Sequence, residues 1–466
     1  MSFWSWARSI SSIYPVLEGT LARVPVLTGS APREVAEHVT AADWSSDGNG
    51  YPVVRHDGGR QLLEYQGKKL YETIYGLGEI RVAPDGSRIA FVEFVAPGDD
   101  RGRVAFVDLA GTVRRLTPEY PSVRRLVWSV DGREIYYSGA ANGDARAVHA
   151  VTLDKVIRTV LDGPDTMDVV DATRDGRLLV LREFVHVYNR AHVTGSTDVR
   201  EISLSPWDVL SELSPDGRLL GLDLQYLSVG DYQAWVVPLD TGLPTLLGAG
   251  GLPKFSPDGK SVVVWSIVDP ARLQILPVGS GSVRSLPAGK LVERWAPSFA
   301  GPDRVVFAGI EPGARSRVYV QDLAGGDPRP VSPEGFGFYQ RTSSPVSPDG
   351  RTIVARDPAK QFMLLSTDNG EPRPIPGLGP NEVPIQWTVD GKALYVYASC
   401  GAGNCVDRLD VTTGHRELWR ELESTGVGGH PFSWTGIPII SRDGRTWVSR
   451  FVVSQADLYV VTPKGR

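Results

Sequence analysis

Short apolar runs rich in valine, leucine, isoleucine and tyrosine alternate with tight polar turns along nearly the whole chain. Phe255-Ser-Pro-Asp-Gly-Lys-Ser-Val-Val-Val-Trp265 displays the unit in full. Pro257 presets φ near −65° at the first central position of a turn, and Gly259 supplies a positive φ without a Cβ penalty. Val262, Val263 and Val264 are branched at Cβ and favour a pleated surface over a helix. The stretch therefore predicts strand, tight turn, strand.

The same turn recurs at Ser45-Ser-Asp-Gly48, Ala83-Pro-Asp-Gly86, Ser129-Val-Asp-Gly132, Thr173-Arg-Asp-Gly176, Ser214-Pro-Asp-Gly217, Ser347-Pro-Asp-Gly350, Thr388-Val-Asp-Gly391 and Ser441-Arg-Asp-Gly444. A degenerate copy, Gly301-Pro-Asp-Arg304, fills the widest gap. The ten aspartates lie roughly 38 to 53 residues apart, the period of a four-stranded propeller blade. One such sheet cannot bury its own faces, so neighbours must stack radially. The fold class is all-β, a β-propeller of about ten blade repeats.

Ten blades exceed the usual ring of about four to eight. The pattern predicts a complete six-bladed ring over residues 206–466 and an incomplete ring over 19–205, after a non-repeat leader, 1–18. One large closed ring is the alternative. Residues 19–26 and 33–39 read as the third and outer strands of a half blade. In the last blade, 445–453 and 457–461 read as second and third strands. Open sheet edges invite aggregation, so an upstream strand must complete that blade; 200–204 reads either as that strand or as the outer strand of the preceding blade.

Composition narrows the partners. A net charge of −5, from 49 basic and 54 acidic residues, gives no footprint for nucleic acid. No run of 18 apolar residues suggests a membrane span, and residues 1–18 lack the continuous apolar core of a secretory signal. The expectation is a cytoplasmic chain, or an extracytoplasmic one if the natural start lies upstream. Cys400 and Cys405 flank a glycine-rich hairpin loop and read either as two thiols or as a disulfide across its mouth. Seven histidines are scattered without ligand spacing, so neither a metal nor another cofactor is expected. Gly98-Asp-Asp-Arg-Gly102 has too few spaced oxygens for calcium and reads as a surface loop. Trp44, Trp128 and Trp387 directly precede Asp-Gly turns and read as packing between blades.

The repeated Phe255-Ser-Pro-Asp-Gly-Lys unit resembles the propellers of TolB and of prolyl oligopeptidases. Stretches such as Gly19-Thr-Leu-Ala-Arg-Val-Pro, Leu70-Tyr-Glu-Thr and Ser344-Pro-Val-Ser-Pro-Asp-Gly350 further resemble the propeller regions of bacterial eukaryotic-like serine/threonine protein kinases. That resemblance implies a sensing or docking module. The kinase signatures are absent: there is no glycine-rich phosphate loop, no His-Arg-Asp and no Asp-Phe-Gly. A Gly-x-Ser-x-Gly nucleophile elbow is also absent, so no catalytic residue is assigned.

Glu334-Gly-Phe-Gly-Phe-Tyr-Gln-Arg341 is the most unusual inter-blade link. Phe336, Phe338 and Tyr339 cannot all point into one sheet face. With Arg341 they form a candidate anchor for a protein or peptide on a propeller face, or else they plug the space between blades. Tyr226 and Tyr232 form a second aromatic candidate. The leading expectation is a non-enzymatic binding or scaffold module for a protein, peptide or small ligand. A propeller enzyme, hydrolase or lyase, with an axial site is one alternative. A non-functional remnant of a kinase gene is the other.

Overall fold

A computed structural model describes residues 2–9, 17–24, 31–57, 60–95, 99–141, 145–194, 196, 198–204, 208–224, 231–339, 344–400, 403–422 and 434–462. Every regular element among them is a β-strand, and most lie in four-stranded antiparallel sheets. The chain divides into two compact units, Met1–Phe184 with Gln455–Arg466, and Val185–Ser454. Of the junction expected at 206–210, residues 208–210 begin the strand Asp208–Leu213, and 206–207 lie outside the described residues.

The Asp-Gly turns share one hydrogen-bonded design. In the copy at Ser214, Gly217 N–H donates to Ser214 O at 2.8 Å, and the Ser214 hydroxyl donates to Asp216 at 2.6 Å. That hydroxyl also accepts Leu219 N–H at 2.9 Å, and Asp216 accepts Arg218 N–H at 3.1 Å. Gly217 has φ +70°, a conformation that costs a residue with a Cβ. In the copies led by serine or threonine, that residue, the aspartate and the glycine each serve a separate purpose; in the copy led by Ala83, Asp85 accepts Ser87 N–H and the Ser87 hydroxyl instead.

The second unit is a closed six-bladed ring. Its first five blades run in chain order over residues 208–249, 251–286, 293–330, 346–374 and 383–421. The fourth has a reduced inner strand, a single bridge between Val346 and Ile353. The sixth blade joins distant segments: Ile439–Ile440 innermost, then 446–454, then 185–193, then Arg200–Glu201 outermost. The 200–204 stretch does therefore contribute to closure. Its partner in the blade was misread, because Thr446–Val461 is one continuous 16-residue strand and not two. The third strand comes instead from Leu178–Val193, whose weak alternation hid its length.

Closure is built like any other joint in the ring. Ala191 and Ile202 of the sixth blade pack with Leu213, Leu220 and Leu222 of the first. Asp208, fully buried at the start of the first blade, accepts Asn189 Nδ2 at 2.8 and 3.0 Å. Between the fifth and sixth blades, Ile385, Tyr395 and Val406 meet Ile440 and Trp447. The joint between the second and third blades carries a buried guanidinium. Arg294 donates to Ala271 O at 2.5 Å, Leu286 O at 2.9 Å and Pro287 O at 3.0 Å. Trp387 precedes its turn as expected of a packing residue, its indole N–H donating to Pro345 O of the fourth blade at 3.2 Å.

The first unit holds four sheets, and two readings of it are corrected. Residues 33–39 pair with Leu17–Arg23, and the end of the same strand, Val39, Ala41 and Ala42, pairs with Pro52–Asp57, so Arg33–Ala42 joins the expected half blade to the blade that follows. Ser2–Ser9 of the leader pairs in turn with Leu17–Arg23. One sheet of six strands results, not a half blade followed by a whole one. The second correction concerns Asp99, Asp100 and Arg101, which are buried and not part of a surface loop. Arg101 Nη2 meets Asp99 at 2.8 Å, and Asp100 accepts the Ser122 hydroxyl of the next blade at 2.9 Å. Arg146 repeats the arrangement on Asp168 at 2.8 Å. Charges placed where one blade meets the next can be satisfied internally, which a count of hydrophilic residues does not reveal.

Candidate functional site

In the six-bladed unit, the link after the third blade enters the face that carries the loops between second and third strands. Gly335, at φ +85°, turns the chain, and its N–H donates to Ser316 O at 2.7 Å. A Cβ there would sit 2.7 Å from Pro358, so the close approach depends on glycine. Phe336 is buried against Val318, Val320, Val346 and Ile353, and Phe338 packs on the same cluster. Both rings join the third blade to the fourth. Gly337 exchanges two backbone hydrogen bonds with Arg356, at 2.8 and 3.0 Å, which ties the link to the end of the next blade's second strand.

Tyr339 packs on a different ring. Its half-buried ring stands edge-on to Phe362, with centroids 5.9 Å apart and planes at 90°. The Arg356 guanidinium carbon lies 4.7 Å from each ring centroid, in the corner between two perpendicular rings. Such contacts contribute roughly 0.5–2 kcal/mol and hold the cation in place. Burial pulls the Arg356 guanidinium below its usual pKa. Of the remaining sequence candidates, Tyr232 is buried in the first blade. Arg341 and Tyr226 lie outside the described residues.

Behind Tyr339 lies a cavity lined by Leu252, Lys254, Ala296, Pro297, Phe338, Tyr339 and Pro345. Its volume is about 10 Å³, enough for roughly one water molecule and too small for a substrate. Lys254 was missed in the sequence, although a lysine between Pro253 and Phe255 in an apolar inner strand was a usable signal. Its Nζ donates to Ser211 O at 3.0 Å, and burial brings its pKa down to about 8, opposed by the Glu212 carboxylate. Glu212 accepts Phe255 N–H at 2.9 Å, and burial raises its pKa against the pull of Lys254 and Arg442. Arg442 in turn donates to Ser344 Oγ at 3.2 Å. These groups hold the inner strands together through the ring.

Two residues of the inner strands, Leu252 and Ala296, have φ of +48° and +50° and line this same cavity. Each lies at a bulge of its strand, so the backbone turns the following residues away from regular pairing. In the first unit, a groove of about 760 Å³ lined by Glu34, Glu37, Arg55 and Glu64 is open and mostly exposed. No cluster of three potential metal ligands occurs among the described residues. The two cysteines are thiols, Cys405 buried and pushed up to about 12 by burial and by Cys400 beside it. His192 stacks flat on Trp447 at 4.8 Å. No helix among the described residues is long and apolar enough to cross a membrane.

The sheet order and the closed ring define a multi-bladed β-propeller. No protein-family model matches the chain, and no curated protein matches it in sequence. Solved structures similar to it include a putative TolB from Agrobacterium tumefaciens, at 15% identity over 56% of this chain and 83% of that one, with a TM-score of 0.25. TolB from Acinetobacter baumannii is 18% identical over 52% of this chain and 64% of its own, with a TM-score of 0.23. An oligogalacturonate lyase from Vibrio parahaemolyticus is 12% identical over 80% and 96%, with a TM-score of 0.35.

Proposed function

We propose that the protein is a non-enzymatic binding module that docks a protein or peptide on the ring face carrying the link 334–339. The observation that supports this is the pairing of a fixed link with a half-buried aromatic beside an arginine. Phe336 and Phe338 anchor the link in the core, and Tyr339 stands beside Phe362 and Arg356 at a half-buried surface. Rigid aromatic and arginine groups of this kind are the usual anchors of interfaces, because little side-chain freedom is lost on binding. The resemblance of several stretches to kinase-associated propellers supports a docking or sensing role of this type.

An enzyme with an axial site is the second reading, and the lowered pKa of Lys254 is what favours it. The cavity beside that lysine has no room for a substrate, so the binding role is preferred. Selection of a phage-displayed peptide library on the full chain tests it. Selected peptides should lose at least about tenfold in affinity with Tyr339→Ala and keep it with Val389→Ala, a change at an exposed position in an Asp-Gly turn. Failure to enrich any peptide, or peptides indifferent to Tyr339, would remove this face from the account.

A further inference from the structure

Several buried guanidinium groups in this protein come with their acceptors. Arg101 has Asp99, Arg146 has Asp168, and Arg294 has three backbone carbonyls. Arg356 differs. Its Nε is shielded from solvent and has no hydrogen-bond partner, and its guanidinium forms no ion pair among the described residues. The nearby carboxylate of Glu334 is engaged by Arg317 at 3.0 Å. Two aromatic rings offset only part of what a cation loses on leaving water. Among the described residues this half-buried cation is thus held in place without an anion to balance it.

The geometry specifies which anion. Tyr339 and Phe362 meet at right angles and occupy one corner around the guanidinium, and the backbone pairing with Gly337 fixes the root of the side chain. What remains for a ligand is part of the planar donor edge, which matches two oxygens held in one plane. Lys254 adds a second positive group on the far side of Tyr339, lining the same cavity. Resting on the docking role above, we propose that Arg356 receives a carboxylate of the bound peptide. That carboxylate is either an Asp or Glu side chain or a free C-terminus.

The test follows the Arg356 Nε–Hε signal by NMR in the full chain labelled with ¹⁵N-arginine, identified by its loss in Arg356→Gln. Four probes are titrated at matched ionic strength. They are an acetylated, amidated Ser-Glu repeat peptide, an acetylated Gly-Ser repeat with a free C-terminus, the same Gly-Ser peptide amidated, and inorganic phosphate. The expected result is a saturable shift with at least one of the two carboxylate peptides and none with the amidated neutral one. Which carboxylate peptide acts separates a side-chain source from a chain terminus. No shift with either, or an equal shift with phosphate, overturns the proposal.

Affinity separates this claim from the docking role on which it rests. Arg356→Gln should weaken a phage-selected peptide at least about tenfold. Arg420→Gln should leave it unchanged, although Arg420 also lies against two rings, Trp419 and Trp447. A selected peptide that needs Tyr339 but tolerates Arg356→Gln would sink the carboxylate and leave the docking face standing. Thermal melts of both variants establish that each is folded, and Arg356→Lys, which keeps the charge without the planar fork, should recover only part of the affinity.

Discussion

Replacing Asp208 with alanine should open the ring at its closure. Asp208 is fully buried and is the acceptor for Asn189 Nδ2, at 2.8 and 3.0 Å, and for Leu204 N–H at 3.1 Å. Arg450 of the sixth blade lies 3.5 Å from the same carboxylate. Alanine would leave two donors without their acceptor and remove the carboxylate beside Arg450, which keeps the Asp208 main-chain oxygen, and losing one partner of a buried charged pair costs about 3–5 kcal/mol. Asparagine keeps one acceptor oxygen and should cost about 1–2 kcal/mol. In a unit of this size, about 2 °C of melting temperature corresponds to each kcal/mol, so Asp208→Ala should lower it by roughly 6–10 °C. Urea unfolding of the full chain gives the free energy directly, with Asp303→Ala in the degenerate turn as a surface control expected within about 0.5 kcal/mol. A loss below about 1 kcal/mol for Asp208→Ala would refute the closure argued from residues 185–201.

Other outcomes follow from the turns and the link. Hydrogen bonds hold Asp47, Asp85, Asp131, Asp175, Asp216, Asp258, Asp349 and Asp390 below the usual carboxylate range. Their folded values lie below the unfolded value of about 3.9, so their stabilisation is present above that pH and is lost as pH falls through the folded values. Melting temperature should therefore drop between about pH 4 and pH 2, and Asp258→Asn should flatten its share of that slope. Gly350→Ala should destabilise by more than the ~1 kcal/mol of a positive φ alone, because a Cβ there would lie 2.9 Å from the Ala300 carbonyl carbon. Denaturant midpoints of Gly350→Ala and Gly48→Ala, whose Cβ would meet nothing within 4 Å, measure the difference. Phe336→Ala should cost about 3–5 kcal/mol, and Tyr339→Ala well under half of that. Equal losses would show that Tyr339 is a packing residue like its neighbours.

How much of this was legible in the sequence depends on the range of the interaction. The Asp-Gly turn is closed by groups within five residues of one another, so its residue types carried the whole motif. Trp128 and Trp387 were also readable, because an indole just before such a turn sits over the preceding blade, and both donate to its backbone, to Arg81 O and Pro345 O. The sixth blade was not readable as a whole. Its strands come from residues some 250 positions apart, and Thr446–Val461 shows no turn residue to mark where it passes from one unit to the other. Asp99, Asp100 and Arg101 looked like loop chemistry because their partners are contributed by the loop itself and by the next blade. The candidate site was half legible. Phe336, Phe338 and Tyr339 stood out as aromatics that could not share one face, but Arg356 and Phe362 join them through pairing with Gly337, which lies outside any strand. Lys254 needed the axis of the ring before its burial meant anything.

Hydrogen–deuterium exchange of the full chain, with and without a phage-selected peptide, tests the docking face most directly. The account predicts slowed exchange in 334–339 and 354–363, with the Asp-Gly turns unchanged. Protection confined to those turns, or peptide binding that leaves 334–339 and 354–363 exchanging as before, would contradict it.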